Sequence, residues 1–190
     1  VPNYRRAFRP GGTFFFTLVT AGRTRLFSDG AARALLHQSI EGARRNRPFT
    51  IDAIVLLPDH LHTIWTLPDA DADFSKRWAS IKARFTRLWL SHGGADVALA
   101  PGRARKGGRG VWQERFWEHA IRDVDDLNRH LDYIHYNPVK HGFVACPHQW
   151  EWSSFRRCVD SGAYDADWQC CCGAKPQPID FSWADQFEME

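Results

Sequence analysis

Residues 49–67 constrain the fold more than any other stretch of the chain. Two apolar, β-branched runs, 49–57 and 61–67, flank Pro58-Asp59, turn residues that interrupt a strand and make a β-hairpin the natural reading. A lone hairpin is at best marginally stable in water, so it needs further strands and helical cover. Residues 13–20 (Thr-Phe-Phe-Phe-Thr-Leu-Val-Thr), after Gly11-Gly12, supply a buried strand. Ala32, Leu35, Leu36, Ile40 and Ala43 recur at helical spacing, with Ser28 or Asp29 as cap and Arg45-Asn46-Arg47-Pro48 as stop. A second helix is predicted from about Ser75 to Leu90. Its apolar positions Trp78, Ile81, Phe85 and Leu88 form one stripe, while Lys76, Lys82, Arg84 and Arg87 lie largely off it. A strand at 116–122 and a third helix from Asp123 or Asp125 to His135 or Tyr136 follow, with Pro138 expected to end that helix near Asn137. The order β-α-β-β-α-β-α predicts an α+β fold: a ferredoxin-like split βαβ with an antiparallel-rich sheet, helices on one face and an added helix.

With 190 residues, 44% hydrophobic and 25% charged, the chain suits one domain over 1–165 and an irregular C-terminal tail over 166–190. A net charge of +3 is too small to name a partner. Its distribution says more: arginine and lysine gather in 5–9, 76–87 and 103–109, whereas 180–190 carries only acids. Residues 91–110, with Gly93-Gly94, Pro101-Gly102 and Gly107-Gly108, read as a mobile basic loop. The apolar stretch 14–19 is too short for a secretory signal and lacks a cleavage site. No run approaches the roughly 20 apolar residues of a membrane helix, so the expected location is cytoplasmic, without membrane association. Five cysteines, three of them contiguous at 170–172, do not resemble an extracellular disulfide framework, and reduced thiols are expected. A zinc-stabilised binding module built on this cluster with His148 or Cys158 ranks last, because three adjacent cysteines do not easily converge on one tetrahedral ion.

Two constellations carry chemistry. His60-Leu61-His62 opens the second hairpin strand, where residues i and i+2 share a face, so both imidazoles can address one ion. Alone, the pair is equally compatible with two hydrogen-bonded histidines at a strand end. Tyr133 and Asn137 are i and i+4 on the third helix, so a phenol and an amide can reach the same ion or phosphate, and His130 lies on that stripe too. Asn137 could equally cap the helix. Together the sites suit phosphodiester cleavage, in which a Lewis acid neutralises phosphate charge and a phenol attacks in line. Free tyrosine has a pKa of about 10, so it needs activation. No Gly-x-x-x-x-Gly-Lys-Ser/Thr loop is present, in keeping with an ATP-free reaction. Basic residues of the second helix and of 103–109 are candidate phosphate contacts. Trp78, Trp89, Trp112, Phe116 and Trp117 are candidates for stacking on unpaired bases, though such aromatics are usually core.

These residues also carry a resemblance. Tyr4-Arg5-Arg6-Ala7, Gly12-Thr13-Phe14-Phe15-Phe16-Thr17, Pro58-Asp59-His60-Leu61-His62, Lys82-Ala83-Arg84-Phe85-Thr86-Arg87, Trp112-Gln113-Glu114-Arg115-Phe116-Trp117-Glu118-His119, Asp132-Tyr133-Ile134-His135-Tyr136-Asn137-Pro138-Val139-Lys140-His141-Gly142 and Trp152-Ser153-Ser154-Phe155 resemble, in this order, the REP-associated tyrosine transposases, bacterial relatives of the single-tyrosine HUH transposases. The resemblance implies a ferredoxin-like fold with a catalytic helix. It further implies magnesium or manganese bound by His60 and His62 with Asn137 as third ligand, and Tyr133 as the nucleophile forming a 5′-phosphotyrosine, with Tyr136 as its rival. Imidazole ligands by themselves suit manganese, cobalt or zinc better than magnesium. The implied activity is nicking and joining of single-stranded or hairpin DNA at REP-type palindromes, near the nucleoid, by a monomer or homodimer. Arg5, Arg6, Lys82, Arg84, Arg87, Arg115 and Lys140, all within the matching segments, are the expected DNA contacts. The alternative is a regulator that binds the hairpin without cleaving it. Cys170-Cys171-Cys172 and the acidic end lie outside the resemblance.

Overall fold

A computed structural model describes residues 9–98, 109–172 and 179–187, the last three in backbone only. Arg5, Arg6 and half of the expected basic loop, residues 99–108, lie outside the described residues. The principal elements are β1 (Thr13–Val19), α1 (Gly30–Asn46), β2 (Thr50–Leu56), β3 (His60–Thr66), α2 (Phe74–Ser91), β4 (Trp117–Ala120), α3 (Val124–Lys140) and α4 (Phe155–Asp160). The sheet order is β2-β3-β1-β4 with every neighbouring pair antiparallel, so β3 of the hairpin inserts between β1 and β2 as a split βαβ requires. Each long helix starts at an aspartate. Asp29, Asp73 and Asp123 accept from the backbone N–H groups of Ala31, Lys76 and Asp126, each such cap contributing about 1 kcal/mol.

Strand alternation divides the apolar residues between two cores. Phe14, Phe16 and Leu18 of β1, with Leu61 and Trp65 of β3, face α1 and α2, which close over them with Leu36, Ile40, Trp78, Ile81 and Phe85. The indoles of Trp65 and Trp78 stack at 3.9 Å. Trp78 and Trp112 are thus buried and unavailable for base stacking, which corrects that expectation for both. The opposite face presents Phe15, Val55 and Ile64 to Tyr133 and Ile134 of α3. The two helices of the split βαβ therefore share one face, and the added helix takes the other. Phe181 and Ala184, late in the chain, are buried in this second core.

Pro138 does not stop α3, contrary to expectation: the helix runs through it to Lys140. The missing N–H costs one helical bond, to the carbonyl of Ile134. Pro138 is buried, and the end is closed by His141 N–H to Asn137 O at 3.0 Å, Gly142 N–H to Val139 O at 2.9 Å and Phe143 N–H to Pro138 O at 2.9 Å. Gly142 adopts φ +68°, a left-handed end that favours glycine. No helix among the described residues is long and apolar enough to cross a membrane.

The expectation of uniformly reduced thiols also needs correction. Cys146 and Cys170 are joined as a disulfide, while Cys158, Cys171 and Cys172 are free thiols. The turn Pro147–Gln149 after α3 and the bond from Cys171 N–H to Ala145 O, 3.0 Å, bring the two segments together.

Candidate active site

The β1–β3 register sets Thr17 opposite His62 and Val19 opposite His60. His60 and His62 share the α3 face of the sheet, their ring centroids 5.0 Å apart, and both are buried. Each ring is held through Nδ1. His60 Nδ1 lies 2.7 Å from Asp59 Oδ1; a carboxylate only accepts, so this nitrogen carries a proton and Nε2 is the atom turned from Asp59. His62 Nδ1 lies 2.8 Å from Thr17 Oγ1, and its buried Nε2 has no hydrogen-bond partner among the described residues. Burial above all, then the positive groups of His60, His141, Lys140 and Arg23, holds the His62 imidazole well below its usual range, so it is neutral. Burial opposes ionisation of Asp59, but its hydrogen bond to His60 and the charges of His60 and Arg23 outweigh that and keep its carboxyl below the ordinary carboxylate range. Arg23 approaches Asp59 at 3.4 Å.

From α3, Tyr133 meets this pair. Its ring lies 5.1 Å from that of His62, edge to face, and Lys140 Nζ stands 5.2 Å from the Tyr133 centroid. Thr17, Arg23, His60, His62, Tyr133 and His141 line a small cleft. It adjoins a more open basin walled by Arg23, Arg25, Asp59, His60, His141 and Phe143. Tyr136 lines neither. It stacks on Phe181 at 5.5 Å, and burial, then the nearby Cys171, raises its pKa. Asn137, one turn beyond Tyr133, is fully buried, and neither its Oδ1 nor its Nδ2 has a hydrogen-bond partner among the described residues.

His130 turns aside to a separate cluster. Its Nδ1 lies 2.7 Å from Asp126 O, its ring stacks on His119 at 4.7 Å, and Asp126 Oδ2 receives His119 Nε2 at 2.8 Å and Arg122 Nε at 3.0 Å. Burial lowers the His130 pKa to about 4. Burial opposes the charge on Asp126, but the hydrogen bonds from Arg122 and His119 dominate and hold its carboxyl far below the usual range.

The expected DNA contacts are dispersed. Lys140 is at the cleft. Lys82, Arg84 and Arg87 ride on α2, across the sheet from Tyr133. Lys82 Nζ donates to Gln113 O at 2.6 Å, tying α2 to the segment before β4, where Arg115 is exposed. Arg84 lies against Gly42 of α1, so closely that a Cβ there would come within 3.2 Å of Arg84 Nε. Arg87 is exposed. Sequence reasoning missed Thr17, Arg23, Asp59 and His141. Asp59 was signalled by adjacency to His60, but Thr17 becomes visible only once the strand register is known.

Fold and site together define an α+β domain of the split βαβ class that sets paired histidines of its sheet against a tyrosine of an added helix. No family model matches the chain. It is 43% identical over 165 residues to the REP-associated tyrosine transposase of Escherichia coli K12, spanning 87% of this chain and 89% of that protein. A Haemophilus influenzae relative is 41% identical over 169 residues, 87% of this chain and 92% of its own length. A solved structure described as a REP-associated tyrosine transposase bound to a REP hairpin superposes with a TM-score of 0.72 at 39% identity, covering 95% of this chain and all of that one. The chain belongs to the REP-associated tyrosine transposases.

Proposed function

We propose that the protein nicks and rejoins single-stranded DNA at REP-type hairpins, with Tyr133 as nucleophile and His60, His62 and Asn137 holding a divalent ion, magnesium or manganese. The observation that carries this reading is the convergence of the His62 imidazole and the Tyr133 ring at 5.1 Å in one cleft. The residues fit an ion: the Nδ1 atoms of both imidazoles are engaged by Asp59 and Thr17, the His62 Nε2 is buried and unpartnered, and so is the Asn137 amide. When bound, such an ion supplies Lewis-acid neutralisation of phosphate charge.

The chain's own groups do the rest. Arg23 and Lys140 place positive charge beside the cleft, where a phosphate is drawn in and held. Asp59 and Thr17 fix the imidazole orientations. Attack by the Tyr133 oxygen on phosphorus forms the tyrosyl–phosphate bond and breaks the bond to the 3′ oxygen. The proton given up by the phenol is matched overall by the one the leaving hydroxyl gains. Reversal by a 3′-hydroxyl rejoins DNA and frees the phenol, so no nucleotide cofactor is consumed. The solved relative bound to a REP hairpin supports a hairpin substrate.

The test incubates wild-type, Tyr133→Phe and Tyr136→Phe proteins with a hairpin oligonucleotide carrying a single-stranded flank, plus manganese. A denaturation-resistant protein–DNA adduct is expected from wild type and Tyr136→Phe but not from Tyr133→Phe, which still binds. An adduct from Tyr133→Phe moves the nucleophile to Tyr136. Binding without any shortened strand in wild type leaves the non-cleaving regulator.

A further inference from the structure

The second cluster of metal-type donors lies outside the cleft, where the chain leaving α3 meets residues 170–172. The ligand atoms of Cys146, His148 and Cys170 all lie within 4.8 Å of one another. Cys172 approaches one of them: its Sγ is 3.0 Å from that of Cys146. Cys171, between the two, is exposed and directs its thiol to the Gln169 carbonyl. The contiguous triplet thus brings its first and third sulfurs to Cys146 and turns its second away. This removes the sequence-level objection that three adjacent cysteines cannot converge, because only two of them need to.

Two further observations point to a ligand. Nδ1 of His148 is buried and has no hydrogen-bond partner among the described residues. Gln149 organises the surround: its Oε1 accepts from the N–H groups of Ala145 and Cys146, both at 3.1 Å, and its Nε2 donates to Cys172 Sγ at 3.8 Å. Amide-to-sulfur donation of this kind supports thiolate charge.

We propose that, with the Cys146–Cys170 disulfide reduced, Cys146, His148, Cys170 and Cys172 form a closed tetrahedral site for one thiophilic divalent cation of the zinc class. A zinc–sulfur distance of about 2.3 Å places tetrahedral sulfurs about 3.8 Å apart. Three thiolates and one imidazole select zinc over the hard ions suited to the cleft. Four protein ligands leave no open position, so the site is structural. It pins the turn after α3 to the segment that precedes Phe181, whose ring packs on Tyr133 at 5.6 Å. Reduction by a dithiol supplies two electrons and two protons and leaves the reagent as its own disulfide; cation binding then displaces one proton from each of the three thiols.

The test uses the full chain in a His60→Ala/His62→Ala background, so that the cleft does not contribute, purified with dithiol and exchanged against a weak chelator. About one zinc per chain is expected by elemental analysis, as for a closed structural site. It should be retained in Cys171→Ser and lost in Cys172→Ser and Cys170→Ser. Cobalt added to the zinc-free protein should give thiolate-to-metal charge-transfer absorption, a readout on unmutated cysteines that does not depend on the serine variants folding. Substoichiometric zinc together with no such absorption overturns the site. So does zinc whose retention ignores both serine variants.

Discussion

The imidazole of His62 and the phenol ring of Tyr133 meet edge to face with centroids 5.1 Å apart, although one is carried by a central strand and the other by the last long helix. The contact holds because both side chains belong to the same buried layer: Phe15 lies 5.6 Å from His62 and 6.1 Å from Tyr133. The cleft thus inherits the rigidity of the second core.

That rigidity extends to the ring orientation of His62, which Thr17 Oγ1 holds from the neighbouring strand. Thr17→Val keeps the shape and removes the hydroxyl. The expected result is manganese affinity lower by about 10- to 100-fold, as for lost outer-shell partners of metal-bound histidines. Adduct formation should recover at high manganese. Direct titration of manganese, alongside the metal dependence of adduct yield, checks this; unchanged affinity would remove Thr17 from the site.

Asn137 gives a prediction of opposite sign for stability and activity. Its amide is fully buried with neither polar atom partnered among the described residues, and an unsatisfied buried polar group costs about 1–3 kcal/mol. Asn137→Leu, close in volume, is expected to raise the urea midpoint of the chelator-treated protein while abolishing adduct formation. A destabilised variant would mean that the amide has a structural partner instead.

How much of this was legible in the sequence follows from the range of each signal. The hairpin around Pro58-Asp59 and the stripes of α1 and α2 are local periodicities and were read to within a residue or two. Pro138 misled because its rule concerns an isolated helix, whereas burial and the bonds around Gly142 hold the last turn. His60, His62 and Tyr133 were named, but their convergence in one cleft depends on β3 inserting beside β1 and on α3 crossing the opposite face, neither of which spacing specifies. Thr17 was invisible for the same reason. The pairing of Cys170 and Cys172 around an outward Cys171 needed the backbone.

The basic residues of α2 and of the cleft should separate kinetically. Arg87 is exposed on the far side of the sheet, so any phosphate it meets is remote from the reacting one. Arg87→Ala is expected to weaken hairpin binding evenly across sequences and reduce the salt slope by about 1, with adduct yield at saturation unchanged. Lys140 stands 5.2 Å from the Tyr133 centroid; with Tyr133 as the proposed nucleophile, Lys140→Met is expected to slow adduct formation at saturation about tenfold or more. Binding isotherms at several salt concentrations and single-turnover rates distinguish the two. A slowed saturated rate in Arg87→Ala would place α2 at the cleft.

Acid should destabilise the fold through His130. Unfolded histidine protonates near pH 6.5, whereas burial in the folded protein delays His130 to about 4. Between those values the unfolded chain binds the extra proton, so the stability present above pH 6.5 is lost as pH falls toward 4, by about 2.5 kcal/mol at pH 4.5. The groups facing His130 are His119 from β4, Arg122 from the connection after it and Asp126 from the first turn of α3. Asp126, its pKa depressed chiefly by hydrogen bonds from Arg122 and His119 against the cost of burial, adds its own loss only below about pH 4, where unfolded aspartate protonates. His135, lowered to about 4 by burial and then Arg157, shares the His130 window, so a single substitution removes part of the slope. Urea unfolding of wild type and His130→Gln at pH 7 and pH 4.5, with chelator present, is expected to show the smaller acid loss in the variant. Equal losses would place the acid sensitivity outside the His119–Asp126–His130 cluster.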